Sequence, residues 1–246
     1  MLIGRGVAFE YRGKVDAPRW RAAWDAVIVL ASWISPLVVG LVLSASVFGL
    51  PLDARGNRLG GPLVLFTAPN VLGGFAVLGF SLLHGAVFLA LKTEGEVRLR
   101  ARKVALRAGP VLLAPLFALV VLAQLRTGSA WTWVPIGISA LAAVVGFARF
   151  GRWREGQAFA LQGLVLATVV VALFGTLWPN VLPSTVDPAW SLSIARTASS
   201  PYTLEVISWV AAFGTPAVVV YQAWTYWVFR KRIGTHHIPA IHAPSS

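Results

Sequence analysis

Six long apolar runs separated by short polar segments set the pattern of this chain: Ala26–Leu50, Val71–Leu91, Ala108–Leu125, Trp131–Phe147, Ala158–Trp178 and Leu204–Phe229. A helix rises about 1.5 Å per residue, so about 20 residues cross the hydrocarbon core, and each run is close to that length. None shows the strict alternation of a membrane-barrel strand. A helix also satisfies its backbone hydrogen bonds within the segment, as lipid requires. The pattern predicts an all-α, polytopic membrane helix bundle of about six transmembrane helices. It forms a single integral membrane domain over residues 1–246, with a mobile tail over 233–246 that carries Pro239 and Pro244.

Composition removes the soluble alternative. Of 246 residues, 57% are hydrophobic and 12% charged, and the mean hydropathy is +0.72. Soluble domains run near half apolar and about a quarter charged, so this chain cannot cover a water-facing surface. With no cysteine, disulfides and thiolate-bound metals are excluded. The net charge of +12 would raise nucleic acid in a soluble protein. Here the cations lie between the apolar runs rather than on one face, which excludes that partner. Seventeen of the 21 fall on alternate segments: the N-terminal stretch, Lys92–Arg107, Arg149–Arg154 and Arg230–Arg232. The positive-inside rule then places both termini in the cytoplasm.

Tryptophans mark the same borders. Trp20 and Trp24 precede the first span, Trp131 and Trp133 the fourth, and Trp224 and Trp227 close the last. The outer connections carry turn residues, Pro51, Gly56, Gly60, Gly61 and Pro62 in the first and Pro179, Pro183 and Pro188 in the last. The long stretch from Trp178 to Tyr202 suits a short structured lid.

Ionisable residues in or near spans are functional candidates by default. Asp25 sits at the cytoplasmic border of the first span, either paired with Arg21, or in the first helical turn where a carboxylate suits the dipole, or serving a proton path or cofactor. His84 is the one intramembrane histidine, a possible polar site: a haem ligand in principle, more often a hydrogen-bonded packing residue between helices. The other histidines, His236, His237 and His242, fall in the tail. Glu205 suits a capping role at the start of the last helix, and Glu94 and Glu96 suit a solvated, salt-bridged face beside the basic cluster Arg98–Lys103 in a cytoplasmic loop. Gly73, Gly74, Gly79 and Gly85 allow close helix packing, and Pro36 and Pro216 lie inside spans. No phosphate loop, zinc helix or nucleophile elbow is present. These residues alone favour a packing subunit or a transporter over a self-sufficient enzyme.

More specific motifs occur in order along nearly the whole chain. They are Arg-Gly-Val-Ala-Phe-Glu-Tyr-Arg-Gly-Lys at 5–14, the Trp20…Trp24-Asp25 approach to the first span, and His84-Gly85-Ala86 followed by Leu91-Lys92-Thr93-Glu94-Gly95-Glu96. Trp178-Pro179-Asn180-Val181-Leu182-Pro183-Ser184 and the last span, from Ser200-Pro201-Tyr202 to Trp224-Thr225-Tyr226-Trp227, complete the set. The chain resembles subunit II of the cytochrome bd quinol oxidases.

The resemblance implies two four-helix bundles plus a peripheral helix in the multi-pass inner membrane of a bacterium, paired with a haem-bearing subunit I. The complex oxidises quinol and reduces dioxygen to water in the respiratory chain. Haems b and d then belong to the partner, this chain binds none alone and holds no metal, and a structural quinone could lie between its helices. No catalytic residue is implied here. Arg5 and Asp25 match family positions that support the partner haems or a proton route. The family also begins with about three further helices, so the resemblance implies a chain that starts near the end of its third, through a misplaced start, a fragment or a broken gene. The other readings are a six-span permease component and an inactive fragment of the oxidase subunit.

Overall fold

A chain this apolar folds by placing helices side by side, and a computed structural model describes the result for residues 1–229, 231, 232 and 234. The helices are α1 (Leu2–Tyr11), α2 (Pro18–Phe48), α3 (Ala68–Lys92), α4 (Gly95–Thr127), α5 (Trp133–Gly151), α6 (Glu155–Leu177), the short α7 (Ile194–Thr197) and α8 (Pro201–Val228). Among the described residues six helical segments are long and apolar enough to cross a bilayer: α2, α3, α4, α5 with the 3-10 turn before it, α6 and α8. The expected all-α bundle is therefore present. The tail expected to be mobile lies, but for Gly234, outside the described residues.

The helix ends follow local chemistry. Proline occupies the first turn of α2, α3 and α8, where its missing N–H would have had no partner. Ser200 caps α8 by accepting from the Thr203 N–H at 3.3 Å. Glu205 lies beyond the first turn of α8, so the capping role expected of it falls to Ser200. Gly49 ends α2 at φ +91°, with its α-carbon against the Pro183 carbonyl, a place for no other residue.

Two spans are longer than their apolar runs. α2 begins at Pro18 rather than Ala26, and α4 begins at Gly95 rather than Ala108. The basic stretch Arg98–Lys103, expected as a loop, is the first part of α4. Arginine, lysine, alanine and leucine are all good helix formers, so the helix runs on past the lipid.

The core lies among α3, α4, α5 and α6, with α3 also packed on α2. Phe150, Leu83, Val87, Val120, Val165 and Val169 are its largest fully buried side chains. Lipid tails are as apolar as leucine, so burial alone gives helices little reason to associate. Close approach does, and small residues permit it. A methyl group on Gly40 would overlap the Gly73 backbone, one on Gly73 would overlap Ser44, and one on Gly79 would overlap the Leu112 carbonyl. Gly85, by contrast, faces open space.

At the end away from the basic segments, the Trp178–Tyr202 connection is folded. Strands β1 (Asn180–Leu182) and β2 (Leu192–Ser193) pair antiparallel, and Leu50 exchanges backbone hydrogen bonds with Pro183 and Thr185. Asp53 organises the neighbouring loop. The Asn57 N–H first, then the Asn57 side chain and the N–H groups of Arg55 and Gly56, hold its carboxyl below the usual range. No residue of α8 is buried. Its basic end is joined to the bundle by Lys92 Nζ, which donates to the Phe229 carbonyl at 2.7 Å.

We expect Gly73→Ala to force α2 and α3 apart and to cost about 1–3 kcal/mol of stability in detergent, the range for overpacking. Gly85→Ala should stay within about 0.5 kcal/mol of the parent. Equal melting temperatures for the two variants would contradict the close crossing.

Candidate functional site

Candidate polar groups occur at three places along the bundle. The first is the hairpin of α1 and α2, which pack on each other, with Ala8 of α1 fully buried. Asp25 accepts from both ends of the Arg12 guanidinium fork, Nε at 2.5 Å and Nη2 at 3.3 Å, with both side chains half exposed. The expected partner, Arg21, pairs with Asp16 instead, because the turn between α1 and α2 brings Arg12 back over the first turns of α2. Arg5 lies about two turns before Arg12, on α1 and partly buried, and the structure does not bring it together with Asp25. Around this pair is an aromatic cluster. Trp24 packs against Tyr11 and Trp20, Trp20 Nε1 donates to the Tyr11 carbonyl at 2.9 Å, and the Lys14 ammonium sits 4.5 Å over the Tyr11 ring.

The second is His84, in the middle of the α3/α6 seam. Its ring lies between Phe80, at 5.4 Å, and Phe159, at 4.4 Å, both nearly parallel to it. Its Nδ1 is 3.0 Å from Gln162 Oε1 on α6. An intramembrane polar group needs such a partner, and Gln162 is the residue the sequence did not bring forward. The cavity beside Phe80 and Gln162 is about 10 Å³, barely the space of one water.

The third place was not visible beforehand. Glu155, the first residue of α6, is 3% exposed, and its Oε1 accepts from Arg98 Nη2 at 2.7 Å and Arg102 Nη1 at 3.0 Å. Arg232 brings Nη2 to 3.6 Å from Oε2. Arg102 spends its other amino group on the Phe150 carbonyl at 2.8 Å and lies 3.7 Å over the Trp153 ring. Trp153 holds a left-handed backbone, φ +64°. That conformation costs a non-glycine residue about 1 kcal/mol or more, offset here by stacking beneath two guanidinium groups, those of Arg98 and Arg102. The basic cluster expected to meet Glu94 and Glu96 on a solvated face is thus divided. Arg100 pairs with Glu96 in the open, while Arg98 and Arg102 turn inward to Glu155. Glu155 is the only acid within the run Arg149–Arg154 and the helix that follows it. That isolation was the available signal, and counting only cations passes over it.

Among the described residues no group of three or more His, Asp or Glu side chains is placed to hold a metal ion. His236, His237 and His242 lie outside the described residues. What these sites offer is fixed charge and hydrogen bonding at helix ends, not a nucleophile–base pair.

Comparison with known proteins gives this arrangement a family. The family described as "Cytochrome bd terminal oxidase subunit II" matches residues 1–229. The cytochrome bd ubiquinol oxidase subunit 2 of Bacillus subtilis (strain 168) is 34% identical over 237 residues, covering 94% of this chain and 70% of that one. The cytochrome bd-I ubiquinol oxidase subunit 2 of Escherichia coli (strain K12) is 30% identical over 271 aligned positions, 94% of this chain and 71% of that one. A probable cytochrome oxidase subunit 2 of Haemophilus influenzae is 26% identical over 272, 95% and 71% respectively.

Removing Glu155 would leave the buried Arg102 and the partly buried Arg98 without a counter-charge, and breaking a buried pair in this way typically costs about 3–5 kcal/mol. Glu155→Ala should therefore lower the melting temperature of the detergent-solubilised protein far more than Glu96→Ala, whose exposed pair is worth under about 1 kcal/mol. Similar losses in both variants would deny Glu155 its place as a hub.

Proposed function

Because the chain belongs to the cytochrome bd terminal oxidase subunit II family, we propose that it is the subunit that scaffolds a haem-bearing partner and does none of the redox chemistry itself. It is a component of a quinol oxidase complex, an oxidoreductase, and a multi-pass helical membrane protein. The permease reading finds no support among its relatives.

The carrying observation is that the family match runs through all six spans while the one intramembrane histidine is already engaged by Gln162. Haem belongs to such a complex, and the groups described here do not fit it. The His84 ring stacks on two phenyl rings, its Nδ1 is taken by Gln162, and the cavity lined by Phe80 and Gln162 is far too small for a macrocycle. Haems b and d accordingly reside in subunit I, where quinol is oxidised and dioxygen reduced to water. The cation distribution supports a reading in which the basic end of the bundle faces the cytoplasm, and the family supports the plasma membrane of a bacterium as its location. At that end Arg5 and Asp25 support the partner. The Arg12 fork fixes the Asp25 carboxylate, and Arg5, with no side-chain partner of its own among the described residues, is free to meet the partner's polar groups.

The test is to purify the tagged full chain from its native host in mild detergent and record a reduced-minus-oxidised visible spectrum. A co-purifying larger subunit with b- and d-type bands is expected. A chain that emerges alone and without haem would overturn the proposal. Asp25→Asn should reduce haem content or quinol oxidation several-fold while membrane insertion is kept, and parental haem content and turnover would remove Asp25 from this role.

A further inference from the structure

The bundle is open between α4 and α5. The two helices meet where the Phe147 ring packs against Gly109, and from that contact a groove of about 360 Å³ runs along them. Its walls are apolar and mostly small or ring-shaped: Pro110, Ala114 and Phe117 on α4, Ala140, Val144 and Phe147 on α5. Proline and alanine at facing positions keep the helices from interlocking there. Val144 remains 68% exposed, so the groove is open on the outer surface of the bundle.

The same stripe of α4 continues as cations. Residues three and four apart share a helix face, and Lys103, Arg107, Pro110, Ala114 and Phe117 follow that spacing. Lys103 and Arg107 are both exposed, and neither has an ion pair or hydrogen bond from its side chain among the described residues. They differ in this from Arg98, Arg100 and Arg102, which are all paired. Their depth is set by α5. Its 19 residues span about 28 Å, close to the hydrocarbon thickness, so its last turn lies at the headgroups. Arg107 is two residues from Gly109 and therefore near the level of that turn. From Arg107 to Phe117 the stripe descends about 15 Å into the hydrocarbon.

Two unpaired cations at headgroup depth, heading an apolar furrow open to lipid, are complementary to one kind of molecule. We propose that the α4/α5 groove is a binding site for an anionic phospholipid. Lys103 and Arg107 hold its phosphate, and one acyl chain lies along Pro110–Phe117 against Ala140–Phe147. Arg107 supplies planar donors suited to phosphate oxygens, and Lys103 adds a point charge one turn nearer the water. A neutral or zwitterionic lipid would fill the furrow but leave the cations without a net counter-charge. This site is independent of the oxidase reading and requires only that the helices span a membrane.

The test uses the full chain, with whatever subunits accompany it, in nanodiscs of phosphatidylcholine doped with phosphatidylglycerol carrying a photoactivatable acyl chain. The wild-type protein should retain phosphatidylglycerol over phosphatidylcholine and cross-link within 110–117 and 140–147. The Lys103→Gln/Arg107→Gln variant should lose that preference by on the order of thirty-fold, at about 1 kcal/mol per cation, with phosphatidylcholine labelling unchanged. Both side chains are exposed, and an unchanged circular dichroism spectrum and elution volume would show that the variant is folded. Ala114→Phe should suppress acyl cross-linking with the cations intact. Equal retention of the two lipids by the wild type, a preference that survives in the double variant, or cross-links from the groove to another polypeptide in place of lipid would each overturn the proposal.

Discussion

A single carboxylate gathers the basic end of this bundle. Glu155 receives two arginines from α4 and approaches a third beyond α8, while Arg102 reaches past it to the last carbonyls of α5. Buried ion pairs are poor sources of net stability, since desolvation cancels much of the attraction. Their worth here is placement. α4 and α5 interlock weakly along their length, and a groove lies between them. The Glu155–Arg102–Phe150 linkage sets how α4 sits against the α5–α6 pair where packing does not. The left-handed Trp153 belongs to the same device, because its ring covers the guanidinium groups from water.

The rest of the bundle is held by a different means. α3 crosses α2 and α4 at positions with no side chain, and there backbone meets backbone. In lipid this gain in van der Waals contact is what sets one helix arrangement apart from another. The same closeness buries polar atoms. Among the described residues the Ser44 hydroxyl is shut against Gly73 without a hydrogen-bond partner, and Asn70 at the start of α3 donates its amide nitrogen to the Leu65 carbonyl at 2.9 Å while its buried Oδ1 has no partner. The two modes divide the protein: contact without side chains in the α2–α3–α4 layer, and charge at the junction of α4 with α5 and α6.

Much of this was legible in the sequence for a plain reason. Lipid tolerates only long apolar helices, so the six spans, their alternation and the small-residue crossings at Gly73, Gly74 and Gly79 follow from composition and spacing. What was hidden depends on direction. Arg98, Arg100 and Arg102 are alternate residues in one basic stretch, yet on a helix the first and third turn inward and the second outward, and hydropathy assigned all of them to a loop. Asp25 was given to Arg21, four residues before it on the same helix, and went to Arg12 because α1 folds back, a tertiary fact. Gln162 gave no signal because a glutamine among apolar residues is notable only once His84 is known to face it.

Exposed apolar surface carries little information in such a protein. Half of α2 and all of α8 show large hydrophobic side chains, yet lipid covers these as readily as another helix would. Polar groups discriminate, because in hydrocarbon they must be answered. Those on α4 that are answered from within, Arg98 and Arg102, mark where the chain is held to itself. Those left unanswered toward the basic end of the bundle, Lys103 and Arg107 on α4 and Arg5 on α1, are the ones to which the proposals bring a lipid and a partner. That division assigns surfaces to partners without reference to apolar area. It also gives the scaffolding role proposed for this subunit a physical means of specifying neighbours: charges at the membrane border, set in place by helices whose cores need no other help.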